Sequence, residues 1–274
     1  MRLCVRKTVC AMIGLASSIH SVQAQSLKFQ SMPRDVPQYA IRFLRPNFDG
    51  DDDLSLLSGC YDLTFNIPAT SSLNVTGSIP YCAFSGYGES ETGFGNLYIG
   101  IQTRDQMERN EGRSLEAGLY LPTSANDNYA LQFMGTYTNF YEMHKYLPNT
   151  LTVAGNFAFV DRGSEGTFFG FELGPNIWIP TEGHNRDTEI LLHYGVRAGI
   201  GVDAVTLQAE WTGAAILSED ADSFDERTVH ALAVGLSVHT AGIVPSVFYE
   251  TYLDDDLGDF MDNVLGFKLE KALN

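Results

Sequence analysis

The sequence predicts an all-β fold: a transmembrane up-and-down antiparallel β-barrel of about twelve strands, with ten as the fallback. Apolar and polar residues alternate with period two in segment after segment, which is typical of strands with one face in each of two environments. The segments run to about ten to fourteen residues, a length that crosses a bilayer at a tilt and exceeds that of ordinary globular strands. The connections between them alternate between short and long, as in outer-membrane barrels.

The alternation is clearest in residues 204–217, where Leu207 and Trp211 share one face and Gln208 and Glu210 share the other. The polar faces are rich in Gly, Ser, Thr and Asn with scattered charges, which is typical of a crowded polar lumen. We therefore expect the apolar faces to contact lipid. The other alternating segments are residues 38–45, 56–67, 72–82, 93–104, 113–121, 150–161, 166–179, 189–202, 227–239, 242–253 and 263–270.

The connection lengths test this interpretation independently. The even-numbered connections are residues 68–71, 105–112, 162–165, 202–203 and 240–241. The odd-numbered connections are residues 46–55, 83–92, 122–149, 180–188, 218–226 and 254–262. All but one of the even connections are tight and every odd one is long, which predicts short periplasmic turns, long outer loops and an even number of strands.

The N-terminus predicts export. Arg2, Arg6 and Lys7 precede a short apolar stretch at residues 8–19, and Val22-Gln23-Ala24 follows as a small-residue cleavage site. We expect a signal peptide at residues 1–24, an N-terminal extension at 25–37 and an outer-membrane barrel domain at 38–274, located in a Gram-negative outer membrane. The extension could trail in the periplasm or fold up as a plug.

The charge is strongly acidic, with 17 Lys and Arg against 34 Asp and Glu and a formal net charge of −17. This balance argues against a nucleic-acid partner. Acidic residues crowd the long connections: Asp49, Asp51, Asp52, Asp53, Glu89, Glu91, Glu182, Asp187, Glu219, Asp220, Asp222, Asp225, Glu226, Asp254, Asp255, Asp256, Asp259 and Asp262. They could solvate the loops or bind divalent cations. Outer-membrane lipid and a small-molecule solute are the other expected partners, and no cofactor or metal centre is predicted.

Residues 127–146 depart from the strand pattern and predict a helix. Its apolar stripe comprises Ala130, Phe133, Met134, Tyr137, Tyr141 and His144, at steps of three and four residues. Asn126 or Asp127 could cap its start. The helix could enter the barrel mouth, with Phe133, Met134, Tyr137 and Tyr141 as constriction residues, or pack on the rim with the stripe against neighbouring loops.

The polar faces also give the candidate pore-lining residues. They are Asp62, Glu116, Glu172, His193, Arg197, Gln208, Glu210, Glu250, Lys268 and Glu270. Because the acids outnumber the bases, a pore lined in this way favours cations or neutral polar solutes over anions. In the alternative, Arg197 and Lys268 pair with neighbouring acids and fill a closed lumen.

Two residue pairs remain open. Cys60 and Cys82 have the same facing parity on neighbouring predicted strands, so a disulfide is open, although the sequence does not place them directly opposite one another. His193 and Ser246 share the lumenal parity, and parity alone makes them conceivable as a Ser–His pair of a hydrolase. No hydrolase motif accompanies them, and the sequence predicts no enzyme.

One stretch resembles a known family. Gly93-Phe94-Gly95-Asn96-Leu97 opens a strand, and the next strand ends in Leu121-Pro122-Thr123, a step that Ile179-Pro180-Thr181 repeats. These pieces resemble the meta-pathway phenol-degradation family of outer-membrane proteins, relatives of the fatty-acid and toluene channels. Asn96 stands where that family often has aspartate. The resemblance implies a barrel that moves small hydrophobic or aromatic compounds inward.

Three functions follow in order. The first is passive uptake of a small hydrophobic or neutral solute. The second is a non-conducting structural or surface-binding barrel with acidic outer loops, and the third is an outer-membrane lipid hydrolase.

Overall fold

The computed structural model describes residues 26–28, 32–49, 54–86, 88–103, 111–125, 128–163, 166–181, 187–218, 225–240 and 242–273. The predicted signal peptide lies outside these residues, as do the proposed caps Asn126 and Asp127 and several loop acids. Within the described ranges, the helices are all too short or too polar to cross a membrane.

Within the described part of the chain, thirteen strands form one antiparallel sheet that closes on itself. They are β1 (Gln38–Phe48), β2 (Gly59–Pro68), β3 (Leu73–Gly86), β4 (Glu89–Phe94), β5 (Tyr98–Thr103), β6 (Glu111–Tyr120), β7 (Thr150–Arg162), β8 (Thr167–Pro180), β9 (Glu189–Val202), β10 (Val205–Ile216), β11 (Thr228–Val238), β12 (Ile243–Tyr252) and β13 (Met261–Ala272). Strands β4 and β5 both pair with β3 and act as two parts of one wall strand. Since β13 pairs with β1, the wall is a closed ring of twelve, and the predicted fold class is confirmed.

The two faces of the wall are those that the sequence predicts. Strand β8 alternates exposed and buried positions along nearly its whole length. On β10, Leu207 is 52% exposed on the outside and Glu210 is fully buried on the inside. The apolar face therefore points outward and the polar face inward, which is the arrangement of a membrane barrel.

The structure corrects two strand assignments. Strand β1 continues through Pro46 to Phe48 instead of ending before the proline. The long outer loop expected at residues 83–92 is wrong: Ala83 pairs with Thr92 and Gly86 with Glu89, so β3 and β4 form a tight hairpin. Extending the ladder satisfies backbone groups that a loop would leave to water.

The predicted helix is present but broken into two pieces. Helix α1 spans Tyr129–Thr138 and a 3₁₀ segment spans Phe140–Lys145, with Asn139 between them. The cap is Asn128, whose side chain accepts a hydrogen bond from the Leu131 amide at 2.8 Å. Residues 129–145 are called the helical insertion below. The other helical pieces are a 3₁₀ turn at Asp225–Arg227 and the single turn α2 at Asp255–Gly258.

The ladder between β7 and β8 has a local gap. Ala154 pairs with Asn176 and Phe157 with Leu173, but the two pairs between them are missing, where Pro175 offers no amide hydrogen. A Cβ atom on Gly174 would lie 2.0 Å from the Gly155 carbonyl oxygen and 2.5 Å from the His193 ring. The wall strands approach so closely here that only glycine fits at position 174.

We expect Gly174→Ala to lower the free energy of unfolding by about 1–3 kcal/mol, because a backbone carbonyl cannot yield to the added methyl. Urea unfolding in detergent micelles measures this difference. The control is Gly155→Ala on the facing strand, whose Cβ would meet Pro175 at an ordinary 3.7 Å. Equal stability of the two variants would contradict the tight approach.

Candidate functional site

All ten candidate pore-lining residues lie on the inside of the barrel, and none is more than 8% exposed. Six of them border an internal cavity: Asp62, Glu116, Glu172, His193, Lys268 and Glu270. The other four, Arg197, Gln208, Glu210 and Glu250, are buried elsewhere in the lumen. These ten side chains therefore lie inside the barrel, and other parts of the chain fill much of the same space.

The first filling element is the N-terminal plug, Ser26–Lys28. The Glu210 carboxylate accepts hydrogen bonds from the Ser26 hydroxyl at 2.9 Å and from the Leu27 and Lys28 amides at 2.8 Å each. Bonds to a charged acceptor are about twice as strong as neutral ones. A single wall carboxylate thus holds three consecutive residues of the plug.

Further contacts fix the plug on both sides. The Lys28 ammonium pairs with Glu250, and the Lys268 ammonium donates to the Ser26 carbonyl at 2.9 Å. Leu27 is 1% exposed and packs so close to the wall that a Cβ on Gly235 would lie 2.7 Å from it. The sequence allows the N-terminal extension either to trail in the periplasm or to fold up as a plug. Residues 26–28 lie inside the lumen, as a plug would.

The second filling element is the helical insertion, which enters from the side of the long connections. The Phe133 and Tyr137 rings pack against each other and against Phe260, and Phe133 also packs against Phe48, with ring centroids 5.1–5.5 Å apart. Phe48 ends β1 and Phe260 immediately precedes β13. Met134 is fully buried in the same apolar cluster. Helix α1 is therefore packed at the rim, as one of the two predicted alternatives has it.

The 3₁₀ segment of the insertion reaches farther, into the lumen. Of the four proposed constriction residues, Tyr141 alone borders the cavity, and its hydroxyl donates to Glu172 at 2.6 Å. The stripe thus divides at the break near Asn139: its first half packs at the rim and its second half faces the lumen. Helical periodicity in the sequence could not show this, because it treats the segment as one straight helix.

Four charged residues join the insertion to the wall. In this charge cluster, the Arg42 guanidinium pairs with Asp62, at 3.2 Å, and with Glu142. The Lys145 ammonium pairs with the same two acids, at 2.8 Å from Glu142. Two cations and two anions balance one another, which satisfies a buried group of charges. Arg42 also donates to the Lys28 carbonyl at 3.4 Å, so it contacts the plug and the insertion together.

The insertion's titratable groups respond to this environment. Burial alone raises the pKa of Glu142, but Arg42 and Lys145 outweigh it and hold that pKa well below its ordinary value. Burial lowers the pKa of His144 to about 3. At neutral pH Glu142 is therefore an anion and His144 a neutral ring.

The cavity has a volume of about 140 Å³ and lies between the plug, the insertion and the wall, which contributes residues of β13 as well as of strands from β1 to β9. Aromatic rings form part of its lining: Tyr98 lies 4.4 Å from Tyr120, which in turn contacts the edge of His144 at 4.4 Å. Glu116 accepts hydrogen bonds from the Tyr98 hydroxyl at 2.5 Å and from Thr76 at 2.8 Å. The lining of the cavity therefore combines aromatic rings with hydrogen-bonding side chains.

Several residues of the lumen escaped the sequence analysis. Arg42 lies on the inner face of β1, between Ala40 and Leu44 on that same face, so its position in the alternating pattern could have identified it. Lys28, Glu142 and Lys145 could not be identified in this way, because they belong to segments without strand periodicity.

The proposed Ser–His pair is not assembled. His193 contacts Asn176 at 3.0 Å and Asn156 at 3.3 Å, whereas the Ser246 hydroxyl bonds with Ser237 at 2.8 Å. Among the described residues, no three His, Cys, Asp or Glu side chains are grouped to hold a metal ion.

The closed twelve-strand wall, the lipid-type outer face and the polar lumen define a β-barrel of the Gram-negative outer-membrane type. No family model and no curated protein matches the chain. Among solved structures, it is similar to the COG4313 outer membrane channel from Pseudomonas putida F1, at 12% identity and a TM-score of 0.65, over 92% of this chain and 100% of that one. This likeness concerns the fold.

Two further solved barrels are similar at lower scores. LpxR from Salmonella typhimurium matches with 12% identity and a TM-score of 0.46, over 86% of this chain and 100% of that one. The CymD monoaromatic hydrocarbon channel matches with 8% identity and a TM-score of 0.41, over 88% of this chain and 89% of that one. Scores this low carry no conclusion beyond the general barrel shape.

Proposed function

We propose that this chain is an outer-membrane channel for small neutral solutes, held closed in the present conformation by the N-terminal plug and the helical insertion. The observation that carries the proposal is the cavity, which lies in the lumen between these two segments. Neither segment belongs to the wall, so either could move while the β-ladder stays intact. The fold similarity to a protein named as an outer membrane channel supports the same class.

The cavity supports a solute that is small, neutral and capable of hydrogen bonding. A cavity of about 150 Å³ accommodates benzene in another protein, so one ring or an equivalent chain matches the 140 Å³ here. The charges nearest the cavity already have partners: Asp62 bonds to Arg42 and Lys145, and Glu172 accepts from Tyr141. A charged solute would have to compete with these contacts. A wholly apolar one would leave the polar lining without water or a partner.

The rest of the proposal concerns targeting. Residues 1–24 act as a signal peptide, removal of which leaves residues 25–37 free to enter the barrel, and the apolar outer face contacts outer-membrane lipid. The acidic residues of the long connections solvate them in this proposal, and divalent-cation binding is the alternative that the sequence leaves open.

A second candidate is a non-conducting structural or surface-binding barrel. The observation that favours it is how completely the lumen is filled: Glu210 and Glu250 are fully buried and both bond to the plug. A barrel that never opens would have the same contacts.

Liposome swelling separates these candidates. We expect proteoliposomes of residues 25–274 to swell in small uncharged hydroxyl compounds faster than in salts of similar size. Replacing Glu172 with glutamine should change the ratio of these rates, because its side chain borders the cavity. Leu173→Ala, the next residue and outward-facing at 46% exposed, is the matched control and should leave the ratio unchanged. A folded barrel that passes no solute, either as the wild type or as Glu210→Ala, which loses three hydrogen bonds to the plug, would establish the second candidate.

A further inference from the structure

Cys60 on β2 and Cys82 on β3 lie directly opposite each other in the antiparallel register. The sequence places them on the same face but does not show this register. Their sulfur atoms are 2.7 Å apart, and the residues are 1% and 2% exposed. The structure holds both as thiols. Opposed residues of an antiparallel pair bring their Cβ atoms close to the separation that a disulfide requires, so the backbone needs little adjustment to join them.

The pair lies beneath the helical insertion. Leu131, Met134 and Tyr146 share its apolar cluster, and the Cys60 thiol contacts the Met134 carbonyl at 3.3 Å. The two sulfurs therefore form part of the surface on which α1 is seated. Once the insertion is in place, small reagents have little access to them, so any oxidation would precede its packing.

The sequence leaves each thiol one partner. The chain has four cysteines, and Cys4 and Cys10 fall in the predicted signal peptide. An exported barrel matures in an oxidising compartment, where protein thiols are converted to disulfides. Pairing with one another is then the one intramolecular outcome open to Cys60 and Cys82.

We propose that Cys60 and Cys82 are joined by a disulfide in the mature protein, and that this bond fixes the β2–β3 hairpin as the seat of the helical insertion. The bond forms by thiol–disulfide exchange. One cysteine thiolate attacks a protein disulfide of the cell envelope and releases one of its sulfurs as a thiol. The other cysteine then attacks the mixed disulfide and releases the second. The two cysteines lose two electrons and two protons, and the envelope disulfide becomes a dithiol.

Alkylation and intact mass test the bond directly. The full mature chain is extracted from outer membranes without reductant and denatured in excess maleimide, with and without prior reduction. We expect no maleimide to attach before reduction and two after it, with the untreated protein lighter than the reduced one by two hydrogens. Two maleimides without reduction would overturn the proposal. Because this test uses the natural sequence, it does not depend on a variant folding.

Thermal unfolding tests the role of the bond. Wild-type barrel that is denatured and refolded in reductant should unfold at a temperature about 5–10 °C lower than barrel refolded without it, since the cross-link restrains the unfolded chain. The matched control is the double variant Cys60→Ala/Cys82→Ala, on which reductant should have no effect. If reductant changed the unfolding temperature of the wild type as little as that of the control, the bond would not stabilise the β2–β3 hairpin on which the insertion packs. Neither assay measures transport, so the outcome is independent of the proposed channel.

Discussion

Replacing Glu210 with alanine is expected to open the barrel by releasing the N-terminal plug. The fully buried Glu210 carboxylate accepts three hydrogen bonds from Ser26–Lys28, and alanine removes all three. Each hydrogen bond to a charged group contributes about 1.5–3 kcal/mol. A loss of about 3 kcal/mol would shift the ratio of seated to released plug by roughly 100-fold.

Single-channel current in a planar bilayer measures this release as a larger conductance or a larger fraction of time open. Glu210→Gln keeps an acceptor oxygen and should give an intermediate effect. Thr212→Val is the control, because Thr212 is buried on the same strand and the same face as Glu210. A folded Glu210→Ala barrel with wild-type current would remove the plug from the proposed closing mechanism.

The second large effect is expected at Arg42, which joins the wall to both filling elements. Arg42→Ala leaves the acids Asp62 and Glu142 sharing only Lys145, and removes the donor to the Lys28 carbonyl. Breaking a buried ion pair by deleting one partner costs about 3–5 kcal/mol. We expect the helical insertion to leave the lumen, because its 3₁₀ segment is anchored there through Glu142 and Lys145.

Limited proteolysis in detergent should then cut the connection between β6 and β7, which the wild type protects, and single-channel conductance should rise. The control is Arg45→Ala on the same strand, whose guanidinium donates to the Leu54 carbonyl at 3.4 Å. A double variant, Arg42→Ala/Glu142→Ala, measures the coupling between the two residues. Strictly additive effects of the two single changes would show that the pair does not hold the insertion.

These two variants also distinguish the two filling elements. Glu210 accepts hydrogen bonds from the plug, whereas Arg42 bonds to both the plug and the insertion. If both must leave before solute passes, Glu210→Ala will raise the current less than Arg42→Ala. If the plug alone closes the path, the two variants will carry similar currents.

Much of the wall could be predicted from the sequence. The alternation in segments such as residues 189–202 placed the strand at its observed bounds, Glu189–Val202, and assigned its faces correctly. The ten polar candidates are all buried inside for the same reason: a strand has a period of two, so a residue's parity sets the side on which it lies. That each of them lines a solute path is still a prediction.

Parity assigns a face but not a partner. It placed Cys60 and Cys82 on the same face, whereas their direct opposition depends on the register of the β2–β3 turn. It gave His193 and Ser246 a common face, yet neighbouring amides and a second serine bind them separately. Pairings across the barrel require the closed wall.

The sequence by itself determined the barrel, its twelve-strand wall, and which residues face lipid and which face the lumen, because these depend on local periodicity and connection length. The tertiary structure alone decided what fills the lumen. The plug is three residues without periodicity, held by a wall carboxylate that lies 182 to 184 positions away in the chain. The break at Asn139, which turns the second half of the insertion inward, is accompanied by the pairing of Glu142 and Lys145 with Arg42 and Asp62. Such long-range electrostatic contacts depend on three-dimensional proximity, which no local pattern in the sequence encodes.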